Sequence, residues 1–277
     1  MDGEMTEIDG ASSEAELTKM VEDIRQSRSS VLQLVEVLGT KLVAADPLDR
    51  EAALEKLIEV VVRLPCDFLT EAEVDHLILF FCAKLADADV VLLSAPLIKV
   101  IHHLITVCRN TPENIAERVI RLLVKEGQIQ SYTANERFLV YQILDYLLAR
   151  QLEELRKIGA EFILGFMQAV EGERDPRCLL MMFKCFCIIA TKFSSNVVSL
   201  DSDLFELVAC YFPIDFKPPE NDPYGVTPNQ LSSSLRICLT CHPSFAPFCL
   251  DLIIENLSET ADLEQSSCDE CFKLMVC

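Results

Sequence analysis

The chain has 277 residues, of which 51% are hydrophobic, and a formal net charge of −20 from 24 basic and 44 acidic side chains. This charge disfavours direct binding of DNA or RNA, because nucleic-acid affinity comes mainly from Lys and Arg side chains that neutralise phosphates. The longest uncharged run, residues 237–250, is shorter than the roughly 20 apolar residues that a membrane span needs. Thirteen cysteines without a signal peptide are typical of free thiols in a reducing compartment, so we expect the cytoplasm, with access to the nucleus.

The chain begins with an acidic segment, residues 1–16, that lacks an apolar run and is predicted to be disordered. Beyond it, Thr70 with Glu73 and Thr133 with Glu136 have the spacing of capping boxes ahead of apolar residues at helical intervals. Further helix starts are predicted where a capping residue precedes proline, at Asp46-Pro47, Thr111-Pro112, Asp175-Pro176 and Thr227-Pro228.

These signals predict about a dozen helices, each on the order of 12 to 20 residues, and no convincing strand. Helix pairs that recur at roughly 40 residues are typical of HEAT or armadillo arrays. We therefore predict an all-α fold, a HEAT-type α-solenoid of antiparallel helix pairs over residues 17–257, with a compact helical bundle as the alternative. Residues 258–277 are predicted to be a divergent or truncated C-terminal helix, because 268–277 lacks the polar face of a capping repeat.

Residues 209–227 interrupt the helical pattern. Proline removes a backbone donor and disfavours helix at the residue before it, and this segment contains Pro213, Pro218, Pro219 and Pro223. It also contains apolar and aromatic side chains that need a packing partner, namely Tyr211, Phe212, Ile214, Phe216 and Tyr224. The sequence therefore predicts an ordered, non-helical crossover over residues 212–227. Its rings either fill the groove between two helix pairs or form a docking surface, and the sequence leaves both possibilities open.

Two cysteine pairs imitate part of a metal site: Cys238 and Cys241 precede His242, and Cys268 and Cys271 repeat the same spacing. Helical spacing places Cys238 among apolar core residues, and neither pair lies in a Gly-rich knuckle typical of structural zinc. We therefore predict free thiols, no metal and no cofactor. The chain has no phosphate-binding glycine loop, zinc-protease motif or nucleophile elbow, so no catalytic residue is assigned and a non-enzyme is predicted.

The crossover resembles a signature of one family of HEAT-repeat adaptors, the MMS-nineteen family, which is named for methyl-methanesulfonate sensitivity. The resemblance is carried by Cys210-Tyr211-Phe212-Pro213-Ile214-Asp215-Phe216, Pro218-Pro219 and Asn221-Asp222-Pro223. A second stretch supports it: Gly159-Ala160-Glu161-Phe162, Gly165-Phe166-Met167-Gln168 and Glu171-Gly172-Glu173-Arg174-Asp175-Pro176-Arg177. The resemblance extends from about residue 30 to about residue 257, and it implies that the chain is the N-terminal domain of such a protein.

The resemblance implies a non-catalytic adaptor of the cytosolic iron–sulfur protein assembly targeting complex, which helps deliver clusters to apoproteins of DNA repair, replication and transcription. The implied partners are other subunits of that complex and client proteins such as DNA helicases and polymerases, without direct contact with nucleic acid or membrane. The candidate partner-binding residues lie in the crossover and in the acidic turn before Pro176: Phe212, Asp215, Phe216, Asp222, Tyr224, Glu171, Glu173 and Arg174. Two alternatives stay open, a metal or cluster carrier that uses the paired cysteines and a generic HEAT scaffold.

Overall fold

The computed structural model describes residues 2–86, 93–125, 129–193, 200–218, 223–258 and 265–275, and for 2–13, 124–125 and 265–268 it describes the backbone only. These residues form two compact units, one within Met1–Gly127 and the other within Gln128–Cys277. Over the described ranges the secondary structure consists of helices and contains no strand. The all-α class predicted from the sequence is therefore confirmed.

The part of the first unit that the structure describes contains six α-helices: α1 (Asp2–Arg25), α2 (Val31–Leu42), α3 (Pro47–Arg63), α4 (Glu71–Ala86), α5 (Ser94–Thr106) and α6 (Ala116–Ile120), which continues as a π-helical turn at Arg121–Lys125. Helices α2 and α3 pack together, as do α4 and α5, and α3 also packs against α1 and α5. Its core consists of aliphatic and aromatic side chains with almost no exposure, among them Leu57, Ile58, Ile78, Phe81 and Ile101. Burial of each such side chain contributes about 1.5–3 kcal/mol relative to leaving it in water.

In its described residues the second unit contains eight α-helices: α7 (Ala134–Arg150), α8 (Leu152–Ile158), α9 (Ala160–Val170), α10 (Pro176–Lys192), α11 (Asp201–Ala209), α12 (Pro228–Thr240), α13 (Ala246–Ser258) and α14 (Gln265–Met275). Short 3-10 turns lie at Ile129–Ser131 and Pro243–Phe245. Helices α7, α10 and α12 form one row, in which each packs against the next, and Arg236 of α12 pairs with Glu270 of α14 at 2.6 Å. Helices α11 and α13 pack against α12, and the Tyr141 hydroxyl oxygen of α7 lies 3.4 Å from the Ala169 carbonyl oxygen of α9. Such stacked helix pairs make this a solenoid-type fold.

Most of the predicted helix starts are observed. Asp46, Asp175 and Thr227 cap α3, α10 and α12, each with proline in the first turn. The capping boxes of Thr133 with Glu136 and of Thr70 with Glu73 are also present. Satisfying the first backbone amides in this way stabilises each helix by about 1 kcal/mol.

The predicted helix start at Thr111-Pro112 is wrong. The Thr111 hydroxyl turns back and donates to the carbonyl oxygens of Leu104 at 2.8 Å and Cys108 at 3.0 Å, at the end of α5. Helix α6 begins later, at Ala116. A threonine hydroxyl can serve either a helix start or a preceding carbonyl, and here the carbonyls compete successfully.

The segment 1–16 and the crossover are two other places where the sequence made a specific prediction. Helix α1 covers Asp2–Arg25 and so includes most of the segment 1–16, whose disorder stays a prediction. The predicted crossover contains no helix in its described parts, 212–218 and 223–227, whereas residues 219–222 lie outside the described ranges. The predicted domain boundaries at residues 17 and 257 stay predictions.

Candidate functional site

The turn between α9 and α10, residues 171–175, is the centre of the site that the sequence singled out. Helix α9 ends at Val170, and Gly172 then adopts φ of +71°, a left-handed conformation that a side chain with a Cβ atom rarely takes. Three residues later the carboxylate of Asp175 accepts hydrogen bonds from the amides of Arg177 at 3.0 Å and Cys178 at 3.2 Å, which starts α10. The conformation of Gly172 therefore fixes one end of the turn, and the hydrogen bonds to the Asp175 carboxylate fix the other.

Glu173, at the middle of this turn, points inward. Its side chain is 1% exposed and forms a two-pronged ion pair with Arg137 of α7, with Nε–Oε2 and Nη2–Oε1 distances of 2.7 and 2.8 Å. The Tyr141 hydroxyl donates to Oε2 at 3.0 Å, and the amides of Arg174 and Asp175 donate to Oε1 at 2.8 and 2.9 Å. The Glu173 side chain is the acceptor in all five hydrogen bonds, and the ionised carboxylate suits this role because both of its oxygens accept and neither donates.

The surroundings of Glu173 change its acidity. Burial alone would raise the pKa of Glu173, but the hydrogen bonds from Arg137, from the amides of Asp175 and Arg174 and from Tyr141 outweigh burial and hold the pKa below its usual range. Asp175 behaves similarly, because the Arg177 guanidinium and the helix amides lower its pKa against the effect of burial. Both carboxylates are therefore ionised at neutral pH and hold the turn electrostatically.

The crossover is attached to this turn by two tyrosines. The Tyr211 hydroxyl donates to the carbonyl oxygen of Glu173 at 3.0 Å, and its ring meets Phe183 edge-on with a centroid distance of 6.0 Å. Tyr224 lies beneath the Arg177 guanidinium, whose central carbon is 3.6 Å from the ring centroid. A cation over an aromatic face at this distance is attractive by about 0.5–1 kcal/mol at an exposed site.

Arg177 is itself held in place by the turn. Its guanidinium pairs with the Asp175 carboxylate at 3.0 Å and donates to the Asn135 side-chain oxygen at 3.1 Å. The same guanidinium lies 5.5 Å from the ring centroid of Phe138. Arg177 therefore links α7, the start of α10 and the second half of the crossover.

The candidate residues fall into three groups in the structure. Asp215, Tyr224, Glu171 and Arg174 are exposed, with Tyr224 at 54%, whereas Phe212 and Phe216 are half-buried. Glu173 is enclosed, so it can act on a partner only by positioning its neighbours. Asp222 lies outside the described residues. Whether these residues bind a partner stays a prediction.

Sequence reasoning missed the residues that position this site. Arg137 and Tyr141 precede Glu173 by 36 and 32 residues, and no local pattern indicates that the three side chains meet. For Tyr211 and Arg177 a signal did exist, since both belong to the motifs that carry the family resemblance. Their contacts explain why an aromatic and a basic residue occur there.

The structure places the cysteine motif at the end of α12. Cys238 is enclosed and its thiol donates to the Phe183 carbonyl oxygen at 3.4 Å, while Cys241 is half-buried. His242 accepts the Ser244 amide through Nδ1 at 3.3 Å and so starts the next turn. Within the described residues, no group of three or more His, Cys, Asp or Glu side chains is arranged to hold a metal ion.

None of the described helices alone has both the length and the apolar composition to cross a membrane. Pro228–Thr240 and Pro243–Ser258 have them only as a pair, and the two members are bent by 95° relative to each other.

These features define a class: an all-helical protein of the solenoid type that carries an extended, proline-rich segment fixed to one inter-helix turn. The sequence model of the MMS19_N family, described as "Dos2-interacting transcription regulator of RNA-Pol-II", matches residues 35–274. The chain therefore belongs to the MMS19 family. The match continues through α14, beyond residue 257, where the resemblance read from the sequence fades.

Curated proteins agree with this assignment. The chain is 38% identical over 240 residues to the human (Homo sapiens) "MMS19 nucleotide excision repair protein homolog", covering 85% of the chain and 22% of that protein. It is 36% identical over 256 residues to the Danio rerio homolog, covering 92% of the chain and 24% of the relative. The "MMS19 nucleotide excision repair protein" of Drosophila melanogaster is 30% identical over 240 residues, with coverage of 87% and 24%. The chain thus spans about a quarter or less of the length of these relatives.

Proposed function

We propose that this chain is the N-terminal part of a non-catalytic adaptor of the cytosolic iron–sulfur targeting complex, which helps deliver clusters to apoproteins of DNA repair, replication and transcription. The observation that carries the proposal is membership of the MMS19 family over residues 35–274. The names of the relatives refer to nucleotide excision repair, and the family description refers to transcription regulation. An adaptor that supplies clusters to proteins in both processes accounts for both names.

The proposed contact surface, called the crossover surface below, consists of Phe212, Asp215, Phe216 and Tyr224 with Glu171 and Arg174 beside them; Asp222 stays a candidate outside the described residues. Two anchors support the proposal, Tyr211 on Glu173 and Tyr224 on Arg177, because they hold an extended segment in one place. A segment that is already ordered loses less entropy when a partner binds. In this proposal Glu173 positions the surface and does not touch the partner.

The proposed partners are client proteins that carry iron–sulfur clusters, such as DNA helicases and polymerases, and other subunits of the targeting complex. The net charge of −20 favours basic protein surfaces through faster encounter and argues against direct contact with nucleic acid. We propose a location in cytoplasm and nucleus, where such clients are made and used. No cofactor and no membrane contact are part of the proposal.

Charge reversal at the crossover surface tests the proposal. Asp215 and Glu171 are exposed, so the double variant Asp215→Lys with Glu171→Lys changes the crossover surface and leaves the ion pair and hydrogen bonds of Glu173 in place. The matched control is Asp251→Lys with Glu255→Lys, two exposed positions on α13 that produce the same change of net charge. Tagged chains capture proteins from cell extract, and quantitative mass spectrometry compares the amounts recovered.

We expect iron–sulfur helicases or polymerases to be enriched by the parent chain and the control, and to fall about tenfold or more with the crossover variant, which corresponds to loss of about 1.4 kcal/mol. Equal recovery by all three chains would remove the crossover surface from the proposal. Capture of no iron–sulfur protein by any of them would contradict the adaptor role of this part of the chain.

A second measurement separates the adaptor from a cluster carrier. The purified chain is incubated anaerobically with ferrous iron and sulfide and then desalted. A carrier would retain the visible thiolate-to-iron absorption, whereas the proposed adaptor stays colourless. A generic scaffold would also be colourless but would capture proteins without regard to iron–sulfur content.

A further inference from the structure

Three cysteines, Cys187 of α10 and Cys238 and Cys241 at the end of α12, lie close together. The sulfur atoms of Cys187 and Cys238 are 3.5 Å apart, although 51 residues separate them in the chain. Cys241, at the end of α12, also hydrogen-bonds with Cys187. We call these three residues the thiol cluster.

The three thiols differ in access to solvent. Cys238 is enclosed, and its thiol lies between the Phe183 carbonyl oxygen and the Cys187 sulfur. Cys187 and Cys241 are half-buried, so small solutes can reach them. Cys185, on the same helix as Cys187, is enclosed. One accessible sulfur thus has an enclosed sulfur as its immediate neighbour.

Hydrogen bonds within the thiol cluster favour a negative charge on Cys187. When Cys187 is a thiolate, the single Cys238 proton is directed to it instead of to the Phe183 carbonyl oxygen. This hydrogen bond and the one from Cys241 lower the pKa of Cys187 well below the usual range of a thiol. Burial and the bond to Cys187 raise the pKa of Cys238, and the bond to Cys187 followed by burial raises the pKa of Cys241. Cys187 therefore loses its proton more easily than Cys238 and Cys241, which keep theirs. The thiolate is the reactive form of cysteine, so reactivity is concentrated at the accessible position.

We propose that the thiol cluster is a peroxide-oxidisable site in which Cys187 is the attacking thiolate and Cys238 is the thiol that completes a disulfide between α10 and α12. The inference goes beyond the adaptor role and does not depend on it. The oxidant it requires is hydrogen peroxide, a small neutral molecule. In a reducing compartment such a disulfide is transient and signals oxidation.

The chemistry proceeds in two steps. The Cys187 thiolate attacks one oxygen of hydrogen peroxide, the O–O bond breaks, and hydroxide leaves, which gives a sulfenic acid at Cys187. The Cys238 sulfur then attacks the Cys187 sulfur, the S–O bond breaks, and the departing hydroxide takes the Cys238 proton and becomes water. Two thiol sulfurs have lost two electrons in total and peroxide has gained them. A dithiol reductant reverses the change by thiol–disulfide exchange.

The test uses the purified, fully reduced chain treated with hydrogen peroxide at neutral pH. Remaining thiols are blocked with an alkylating agent, and peptides are mapped by mass spectrometry with and without reduction. Alongside the parent chain we would use Cys187→Ser, Cys238→Ala and the control Cys210→Ser, which removes an exposed thiol outside the cluster. A dimedone-type probe detects sulfenic acid in each chain.

We expect a Cys187–Cys238 disulfide in the parent chain and in Cys210→Ser, its loss in Cys187→Ser, and a trapped sulfenic acid at Cys187 in Cys238→Ala. Cys187 should react with peroxide about tenfold faster than Cys210, because more of it is thiolate. If Cys238→Ala fails to fold, the disulfide map and the rate comparison in the parent chain decide the question alone. A disulfide between any other pair, or oxidation of Cys187 no faster than that of Cys210, would overturn the proposal.

Discussion

Replacing Glu173 with glutamine is the sharpest test of how the 171–175 turn is held. The substitution keeps the shape of the side chain but turns one acceptor oxygen into an NH2 donor and removes the charge. Oε1 accepts Arg137 and two backbone amides, and Oε2 accepts Arg137 and Tyr141. Whichever of the two oxygens the NH2 group replaces, at least two of the donors that bonded to that oxygen then face another donor.

The expected loss is large. Removing one partner of a buried ion pair costs about 3–5 kcal/mol, because the other charge is left without compensation. The Arg137 side chain is 19% exposed, so water recovers part of its solvation and the lower end of that range applies. We therefore expect Glu173→Gln to lower the free energy of unfolding of the second unit by about 3 kcal/mol. With an m-value of about 2 kcal/mol/M, the urea midpoint falls by about 1.5 M.

The assay is urea unfolding followed by peptide-resolved hydrogen exchange, which reports the two units separately. The matched control is Glu171→Gln, the same chemical change at an exposed position in the same turn, where surface substitutions change stability by only about 0.5 kcal/mol. If Glu173→Gln unfolded at the same urea concentration as Glu171→Gln, the inference that the carboxylate holds the turn would be refuted.

Three further predictions concern the same region. Lowering the pH should destabilise the second unit, because Glu173 and Asp175 have lower pKa values in the folded chain than in the unfolded chain. The stability that they contribute is fully present above the ordinary carboxyl pKa of about 4 and is lost as the pH falls through the folded pKa values. Acid titration followed by circular dichroism should therefore show a smaller loss of stability with falling pH in Glu173→Gln than in the parent chain. Gly172→Ala should lower the free energy of unfolding by about 1 kcal/mol, because Gly172 has φ of +71°. Gly39→Ala should raise it by up to about 1 kcal/mol, because Gly39 lies inside α2 and no atom is near the added Cβ; thermal unfolding measures both changes. Tyr211→Phe should lose the bond to the Glu173 carbonyl oxygen and about 1 kcal/mol, measured by hydrogen exchange of the crossover peptides; unchanged exchange would contradict the anchoring role.

The features that the sequence predicted well are local ones. Asp175 with Pro176 starts a helix because the capping oxygen and the amides it accepts lie within three residues of each other. Thr111 with Pro112 has the same local pattern, but its hydroxyl finds nearer acceptors in the helix before it, so the pattern alone misleads. Competition between two local partners is decided by the path of the backbone, which the residue pattern does not contain.

Contacts between distant residues were beyond prediction from one sequence. Glu173 was selected as a candidate contact residue because it lies in an acidic turn, yet its partners on α7 make it part of the interior. Cys238 was expected to be a core thiol on the evidence of helical spacing, and only the packing of α10 on α12 brings its sulfur next to that of Cys187. Helical periodicity identifies the face that is buried but not which residue of another helix lies opposite it.

The Glu173 cluster also has a genetic consequence. Arg137 and Tyr141 both donate to the Glu173 carboxylate, so losing Glu173 removes hydrogen bonds from each of the other two residues. A second substitution within the set should then cost much less than it costs alone, and the effects should not add. Among natural variants of this chain, these three positions are therefore expected to change together or to stay unchanged together.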